Sequence, residues 1–391
     1  MTRRPPLVFI FTVTLTGILS NTLVTPAIPN ILDEFDAPPS GAGWLVATGS
    51  VAGIIVAPVI GILADRLGRR VILTTCLTIF GVFGGLAALA PSFEILLIAR
   101  VLQGVGAAGL INLAVVLIGD NWSGPERTRL IGRNTAVLTI GLAGLPLISG
   151  VVTDVASWRV TFGIFTVALL TAAAAWTILD TRRPTNTPRV SDQVKSAALV
   201  LRQPVLIATL SAGFVVFMII FGLFLTVVPV HLAEEFGLEA SARGVVIALP
   251  ALTSTLAAFN LGRITSVFST RYLVVVSSIG LGITFATMGW AGTLVLIVVA
   301  ALIYGASEGV LIPLLQDLAV EYTPADHRAA IIAVWVAFVR LGQTVGPLVA
   351  GVLIGVMGTG ATLVTGAAAA GIILLLGLVG PFPRARSPEL Q

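Results

Sequence analysis

Long apolar segments alternate with short polar turns along the whole chain. Each apolar segment is about 20 residues or longer, which is enough for a helix rising 1.5 Å per residue to cross about 30 Å of hydrocarbon. The pattern therefore predicts an all-α integral membrane protein with twelve spanning helices. Their predicted bounds are 7–31, 42–64, 71–91, 94–119, 131–155, 159–179, 205–231, 243–267, 272–291, 293–316, 328–356 and 360–381.

The composition excludes a soluble globular domain. Hydrophobic residues make up 57% of the chain and charged residues only 10%, whereas soluble domains contain about 25% charged residues. The isoelectric point near 10.0 does not indicate a nucleic-acid partner, because the arginines lie in short turns between apolar segments. The single cysteine, Cys76, lies inside an apolar segment, so no disulfide framework is expected.

The distribution of basic residues predicts the orientation in the membrane. Basic residues concentrate in alternate turns, and the opposite turns hold only Arg159 and Arg243. The positive-inside rule therefore places both termini in the cytoplasm, and we expect the plasma membrane of a prokaryote. The first segment is expected to be a retained helix, because it lacks a small-residue cleavage pattern. The residues predicted to be cytoplasmic are Arg3, Arg4, Arg66, Arg69, Arg70, Arg127, Arg129, Arg133, Arg182, Arg183, Arg189, Lys195, Arg202, Arg263, Arg271, Arg328, Arg384 and Arg386.

An internal repeat divides the chain into two halves. A shift of the sequence by about 201 positions aligns glycines, prolines and an arginine of the first half with the same residue types in the second. The repeat predicts two pseudo-symmetric six-helix bundles, at 1–180 and 205–391, joined by a cytoplasmic linker at 181–204. The aligned pairs are Gly61 with Gly262, Arg70 with Arg271, Gly104 with Gly305, Gly141 with Gly342, Pro146 with Pro347 and Gly150 with Gly351.

The turn at 61–70, Gly-Ile-Leu-Ala-Asp-Arg-Leu-Gly-Arg-Arg, resembles the best known signature of the major facilitator superfamily of transporters. The resemblance extends over nearly the whole chain and is closest to the 12-helix drug:proton antiporters. It implies that Asp65 and Arg69 latch the two halves in an outward-facing state. The second copy of the turn has Ser266 in place of the aspartate, so the latch is expected on one side only. The implied gating residues are Gly61, Asp65, Arg66, Gly68, Arg69 and Arg70.

Further motifs of the same family occur in later helices. Arg100, Gln103, Gly104 and Gly106 resemble the fourth-helix pattern, in which Arg100 either couples protons or ties helices through backbone carbonyls. Trp158, Arg159 and Phe162 resemble an architectural motif of the sixth helix. An imperfect antiporter motif in the fifth helix and a better copy in the eleventh imply helix bending and export. The residues of these two copies are Gly141, Pro146, Ser149, Gly150, Gly342, Gly346, Pro347 and Gly351.

One departure from the family directs attention to the tenth helix. The drug exporters carry an acid in the first helix, where this chain has Ser20 followed by Asn21. If transport is proton-coupled, another carboxylate must titrate, and Glu308 is the only deep candidate. Arg340 lies at a similar depth in the eleventh span, so we predict a contact between Glu308 and Arg340. This pair is either a proton or cation switch or a permanent structural ion pair.

The remaining charged groups have simpler interpretations. Asp120 and Asp317 are predicted to be solvated charges at helix ends, and His231 and His327 also lie at span ends. No metal or cofactor is expected, and no nucleophile–base set or phosphate loop indicates an enzyme.

The family implies a substrate path between the halves, and the few charges suit a lipophilic small molecule. The first hypothesis is a monomeric, proton-driven exporter of hydrophobic or amphipathic compounds. The alternative is a uniporter or importer of a metabolite, or a lipid translocase. The candidate cavity residues are Asn21, Thr25, Gln103, Asn112, Phe217, Phe221 and Glu308.

Overall fold

The computed structural model describes residues 4–180, 203–324 and 328–383. Almost all of the predicted linker at 181–204 lies outside these residues, as do Arg3, His327, Arg384 and Arg386. The described chain is all-α, and its apolar helices are long enough to cross a membrane. The protein is therefore a multi-pass membrane protein, as the hydropathy pattern predicts.

Six helices make up the first half of the sequence. The first is interrupted by a short 3₁₀ turn at Thr25–Ala27. Pro26 in this turn and Pro29 just after it have no backbone N–H to donate to the helix. The fourth is broken near Gly109, between Phe93–Ala107 and Leu110–Asn121. The bounds are α1 Leu7–Glu34, α2 Gly41–Leu67, α3 Arg69–Ala87, α4 Phe93–Asn121, α5 Gly124–Val155 and α6 Trp158–Ile178.

The described part of the second half contains six further spanning segments and one short helix, Leu261–Val267. The last two are continuous as Arg328–Val379 except at Gly358, whose φ of 77° and ψ of 173° break the helix. Because a positive φ of this size favours glycine, the break separates the predicted eleventh and twelfth spans. The bounds are α7 Pro204–Phe236, α8 Ala240–Phe259, α9 Thr270–Trp290 and α10 Leu294–Glu321, followed by α11 at 328–357 and α12 at 359–379.

Two helices differ from the predicted spans. Helix α5 begins at Gly124, not at 131, because its first two turns are charged and extend the helix beyond the apolar stretch. The predicted eighth span, 243–267, is not one helix. It is interrupted before Pro250, and a separate short helix, Leu261–Val267, follows Asn260. Hydropathy predicts neither the early start of α5 nor the interruption of α8, because it measures how apolar the side chains are and not whether the helix is continuous.

The chain forms two compact units, and a short segment from the second half of the sequence groups with the first of them. The first unit contains 1–187 and also Gly237–Ala248, the first half of α8. The second contains 188–236 and Leu249–Gln391. The halves of α8 on either side of Pro250 thus belong to different units.

Each unit contains the same kind of close helix contact at positions related by 201 residues. A Cβ added at Gly104 of α4 would lie 2.8 Å from the Gly49 carbonyl oxygen of α2. A Cβ added at Gly305 of α10 would lie 2.6 Å from Cα of Pro250 in α8. Small residues therefore allow the same backbone approach in both units.

Candidate functional site

The turn between α2 and α3 has the geometry that its glycine predicts. Gly68 ends α2 and begins α3 with a φ of 95°, a conformation that disfavours any residue with a Cβ. The Asp65 carboxylate accepts a hydrogen bond from the guanidinium of Arg69, one helical turn further along. Arg69 Nε also donates to Asp120 Oδ2 at 3.1 Å. Asp120 and Asp317 are both exposed near the ends of their helices, as predicted, although Asp120 also pairs with Arg69.

The other residues of this motif have separate environments. Arg66 is exposed, and a Cβ added at Gly61 would meet no atom within 4 Å. The Arg70 guanidinium carbon lies 4.2 Å from the ring centre of Trp176 in α6, a cation–π contact. In the second copy of the turn, Ser266 is exposed and donates only to the Arg263 carbonyl oxygen at 2.7 Å. The gating role of the motif remains a prediction.

Arg100 lies at the centre of a buried polar cluster in the first unit. Its side chain is fully buried, and its guanidinium donates to Gln103 Oε1 at 2.7 Å, Asn21 Oδ1 at 3.2 Å and Ser20 Oγ at 3.4 Å. A Cβ at Gly49 would lie 3.0 Å from the Arg100 guanidinium carbon, so the glycine makes room for it. Arg100 ties α1 to α4 through side chains, and the predicted bonds to backbone carbonyls are not found.

No carboxylate lies within ion-pair distance of Arg100 among the described residues. Buried charges in proteins are usually paired, because an unpaired charge loses its hydration. Here Arg100 Nε and Gln103 Nε2 are buried without a hydrogen-bond partner. The neutral hydroxyl oxygen of Ser20 stands at the position where the resemblance to many drug exporters implies an acid.

The predicted cavity residues of the first half do not share one environment. Asn21 contacts Arg100, and its amide nitrogen also lies 3.5 Å from Ser50 Oγ. Thr25 is buried and donates to the Asn21 carbonyl oxygen at 2.8 Å. Asn112, in contrast, is exposed on α4. Asn21 and Gln103 therefore belong to the Arg100 cluster, and Asn112 does not.

The predicted contact between Glu308 and Arg340 is not formed. No ion pair joins them among the described residues, and Arg340 donates to Gln343 Oε1 at 3.2 Å. Both side chains are partly exposed. Sequence places two residues at a common depth, but side chains also have to point towards each other around the helix axis.

Glu308 lies one turn from an aromatic cluster. The Tyr304 ring stacks on Phe224 of α7, with ring centres 4.2 Å apart, and meets Phe285 of α9 edge-on at 5.8 Å. The Tyr304 hydroxyl is buried and makes no hydrogen bond of normal geometry, although the Glu308 carboxylate is close enough to interact with it. Tyr304 was not among the predicted site residues. Its position four residues before Glu308 in a helix was the available signal.

The aromatic residues predicted for the cavity lie on an irregular part of α7. Its segment Ile219–Val227 is π-helical, and Thr226 donates to the carbonyl oxygen of Phe221, five residues earlier, at 2.7 Å. Phe217 and Phe221 are partly exposed, with ring centres 6.5 Å apart. Such π-helical segments occur frequently at functional sites.

The glycine–proline motifs serve close packing in this structure. Helix α5 continues through Pro146, and α11 continues through Pro347, without a break in either helix. A Cβ at Gly141 would lie 2.8 Å from the Leu15 side chain of α1, and one at Gly346 would lie 2.8 Å from the Met218 Cα of α7. Gly351 is buried in α11. Their role in bending and export remains a prediction.

The tryptophan–arginine motif of α6 joins three elements of the first unit. Arg159 Nε donates to Glu34 Oε1 at 2.8 Å, and Trp158 Nε1 donates to the same carboxylate. Arg159 also donates to the carbonyl oxygens of Ala88 and Ala90. These contacts are architectural, and no sequence pattern identified Glu34 as the partner.

Two further polar contacts were missed. Asp154, at the end of α5, accepts hydrogen bonds from the backbone nitrogens of Ala240 at 2.9 Å and Ser241 at 2.7 Å. In the second unit, the buried His231 ring lies 3.1 Å from Thr359 Oγ1, which donates to Glu234 Oε2 at 3.2 Å. No group of three or more metal-binding side chains occurs among the described residues.

Comparison with known proteins places these helices in a family context. The family model described as the Major Facilitator Superfamily matches residues 10–239 and 210–390. The chain is 25% identical to the bacillibactin exporter of Bacillus subtilis, over 84% of this chain and 85% of that protein.

Two shorter alignments, both to B. subtilis proteins, carry different names. The chain is 26% identical to a hexuronate transporter, over 63% of this chain and 61% of that protein. It is 30% identical to multidrug resistance protein 1, over 45% of this chain and 47% of that protein. A solved bacterial homologue of the human lysosomal transporter Spinster matches 95% of this chain and 94% of its own, with a TM-score of 0.75 and 18% identity.

Proposed function

Because the chain belongs to the Major Facilitator Superfamily, we propose that it is a proton-coupled exporter of hydrophobic or amphipathic compounds that works by alternating access. The names of two relatives, an exporter and a multidrug resistance protein, support export. The low content of charged residues, 10%, supports a substrate with little charge of its own. We also expect a monomer in a prokaryotic plasma membrane, with both termini in the cytoplasm.

The unpaired carboxylate of Glu308 is the observation that carries this proposal. Glu308 lies inside α10, is partly exposed, and has no basic side chain within ion-pair distance among the described residues. An ionised carboxylate in a membrane span is costly unless a positive group accompanies it. The carboxyl group is therefore stabilised when it holds a proton or when a cationic substrate lies beside it. Exchange of one for the other couples transport to protons.

Arg340 has two possible uses in this scheme. Its guanidinium bonds only to a neutral glutamine, so it remains available to Glu308 in another conformation. It could equally receive an anionic substrate, which favours the alternative function of a metabolite importer or uniporter. The name of the hexuronate transporter agrees with that alternative.

Reconstitution into proteoliposomes with an imposed pH gradient tests the proposal. Ethidium and tetraphenylphosphonium serve as lipophilic cations, and glucuronate serves as the anionic probe. We expect gradient-driven movement of a cation by the parent protein and its loss in Glu308→Gln. Downhill counterflow of the same cation should persist in the variant, because the carboxyl and amide groups have similar shapes.

Glu321→Gln is the matched control, since Glu321 is exposed at the end of the same helix. This control should transport like the parent. Gradient-driven cation movement by Glu308→Gln at the parent rate would contradict the role of Glu308. Movement of glucuronate but of neither cation would favour the alternative function.

A further inference from the structure

The buried cluster around Arg100 keeps hydrogen-bond donors after its acceptors have been engaged. Ser20 Oγ, Asn21 Oδ1 and Gln103 Oε1 all accept bonds from the Arg100 guanidinium. In contrast, Arg100 Nε and Gln103 Nε2 are buried and have no acceptor among the described residues. These two donors belong to side chains that are joined by a hydrogen bond, so they lie in one small region of α4.

Two serine hydroxyl groups add to the excess of donors. Ser20 Oγ accepts from Arg100, and Ser50 Oγ accepts from the amide nitrogen of Asn21 at 3.5 Å. In the bonds between described residues, each hydroxyl takes part as the acceptor. Because a hydroxyl group carries one hydrogen in addition to its lone pairs, both serines can still donate to a further group.

The cluster also carries a positive charge that no described side chain balances. The guanidinium of Arg100 is charged at neutral pH, and no carboxylate lies within ion-pair distance of it among the described residues. Burial removes the hydration of such a charge, which is costly unless an opposite charge accompanies it. An anion beside Arg100 therefore satisfies the remaining donors and balances the charge at the same time.

The burial of these groups limits the size of the anion. Arg100 and Gln103 are fully buried, and Ser20 and Ser50 are 4% and 1% exposed. Asn21 is partly exposed, so it marks the side from which the cluster can be reached. An anion of a few atoms or fewer suits such a closed group of donors, and one negative charge matches one guanidinium.

Two glycines close the cluster on its other sides. A Cβ added at Gly49 of α2 would lie 3.0 Å from the Arg100 guanidinium carbon, and one added at Gly84 of α3 would lie 2.8 Å from Gln103 Nε2. The backbones of α2 and α3 therefore pack directly on the two donor side chains. This packing holds the donors in place and excludes a bulky organic anion from these sides.

We propose that the Arg100 cluster binds one small inorganic monovalent anion of the size of chloride, held by Arg100, Gln103 and the hydroxyl groups of Ser20 and Ser50. The anion supplies the negative charge that α1 lacks at Ser20. All of these residues belong to the first unit. The site is separate from Glu308 and does not depend on proton coupling or on the direction of transport.

Thermal unfolding of the purified protein in detergent tests this site without a transport assay. Sodium chloride is compared with sodium gluconate at equal concentration, because gluconate is too large for a closed cluster. A ligand that binds only the folded state raises the melting temperature by mass action. We expect the parent protein to melt about 3 °C or more higher in chloride, with a rise that saturates as chloride increases. Bromide should replace chloride.

A carboxylate introduced by substitution should take the place of the anion. Ser20→Asp and, separately, Gln103→Glu each put a carboxylate beside the Arg100 guanidinium. Both variants should therefore lose the chloride-dependent rise in melting temperature. Ser20→Asn is the matched control, because asparagine has the shape of aspartate without its charge, and it should keep the rise.

Three results of the melting experiment would overturn the proposal. The first is an equal melting temperature of the parent protein in chloride and in gluconate. The second is a rise of parental size in both Ser20→Asp and Gln103→Glu, which would reveal a general salt effect. The third is a larger rise in acetate than in chloride, which would assign the site to a carboxylate and not to an inorganic anion.

Nuclear magnetic resonance of the chloride ion measures binding directly. The parent protein and Ser20→Asn should broaden the chloride resonance, and added bromide should reverse the broadening by competition. Ser20→Asp should not broaden it. Broadening of equal size in the parent and in Ser20→Asp would place the bound chloride elsewhere and overturn the proposal. Neither experiment involves transport, so this proposal and the proposed function fail separately.

Discussion

Each unit of the protein contains an arginine that donates to a glutamine three residues further along the same helix, but the two arginines have different surroundings. Arg100 of the first unit is fully buried and has two further acceptors on α1. Arg340 of the second unit is partly exposed and bonds only to Gln343. Among the residues that the structure describes, the second unit has an unpaired carboxylate, Glu308, whereas no carboxylate lies within ion-pair distance of Arg100 in the first.

We propose from this difference that Arg100 has a structural role, whereas Glu308 and Arg340 are candidates for a functional one. The Arg100 guanidinium is surrounded by the neutral oxygens of Ser20, Asn21 and Gln103, which position it. The region of Glu308 and Arg340 holds both an acid and a base that are not committed to each other. Charges with several available partners are suited to a cycle with several states.

The largest expected effect is the loss of Arg100. Arg100→Leu removes three hydrogen bonds to a charged group, each worth about 1.5–3 kcal/mol, and leaves buried oxygens without donors. We expect destabilisation of at least about 3 kcal/mol, measured as a lower melting temperature in detergent and a poorer yield of folded protein. Arg129→Leu, an exposed arginine of α5, should have little effect. Equal melting temperatures for the two variants would contradict a structural role for Arg100.

A carboxylate placed beside Arg100 should have a smaller, opposite effect. Ser20 Oγ lies 3.4 Å from the guanidinium, so Ser20→Asp places a counter-ion beside Arg100. The arginine is already buried and charged, so an adjacent anion should stabilise the fold by about 1 kcal/mol or more. Thr16→Asp, also buried on α1, is the control and should destabilise. A fall in the melting temperature of Ser20→Asp would show that Arg100 does not lack a counter-ion.

The smallest expected effect concerns Tyr304. Tyr304→Phe keeps the ring between Phe224 and Phe285 and removes a buried hydroxyl that has no normal hydrogen bond. Stability should stay within about 1 kcal/mol of the parent, whereas the pH dependence of transport should shift, because the hydroxyl lies beside Glu308. Tyr272→Phe, an exposed tyrosine of α9, should change neither property. An unaltered pH profile in Tyr304→Phe would separate the hydroxyl from the function of Glu308.

Hydropathy predicted the helices because the thickness of the bilayer sets the length of an apolar span. The turn at Gly68 was predictable for a similar reason, since its positive φ needs glycine. Hydropathy did not predict the break before Pro250, because the residues on both sides of it are apolar. A helix interrupted inside the membrane has the same hydropathy as a continuous one.

The polar partners were the least predictable part of the site. Arg69 and Asp120 are 51 residues apart, and Asp154 and Ala240 are 86 residues apart. Depth in the membrane follows from counting residues, but contact also depends on rotation of about 100° per residue around each helix axis. Glu308 was found because a charge in an apolar span is conspicuous, and its predicted contact with Arg340 is not formed in this structure.

Infrared spectroscopy of the reconstituted protein tests the central claim, that Glu308 carries the coupling proton, most directly. A difference spectrum between acidic and alkaline samples should contain the C=O stretch of a protonated carboxylic acid in the parent protein. The same band should be missing from Glu308→Gln and present in the control Glu321→Gln. A carboxylic acid band of equal intensity in the parent and in Glu308→Gln would contradict the claim and assign the titrating proton to another residue.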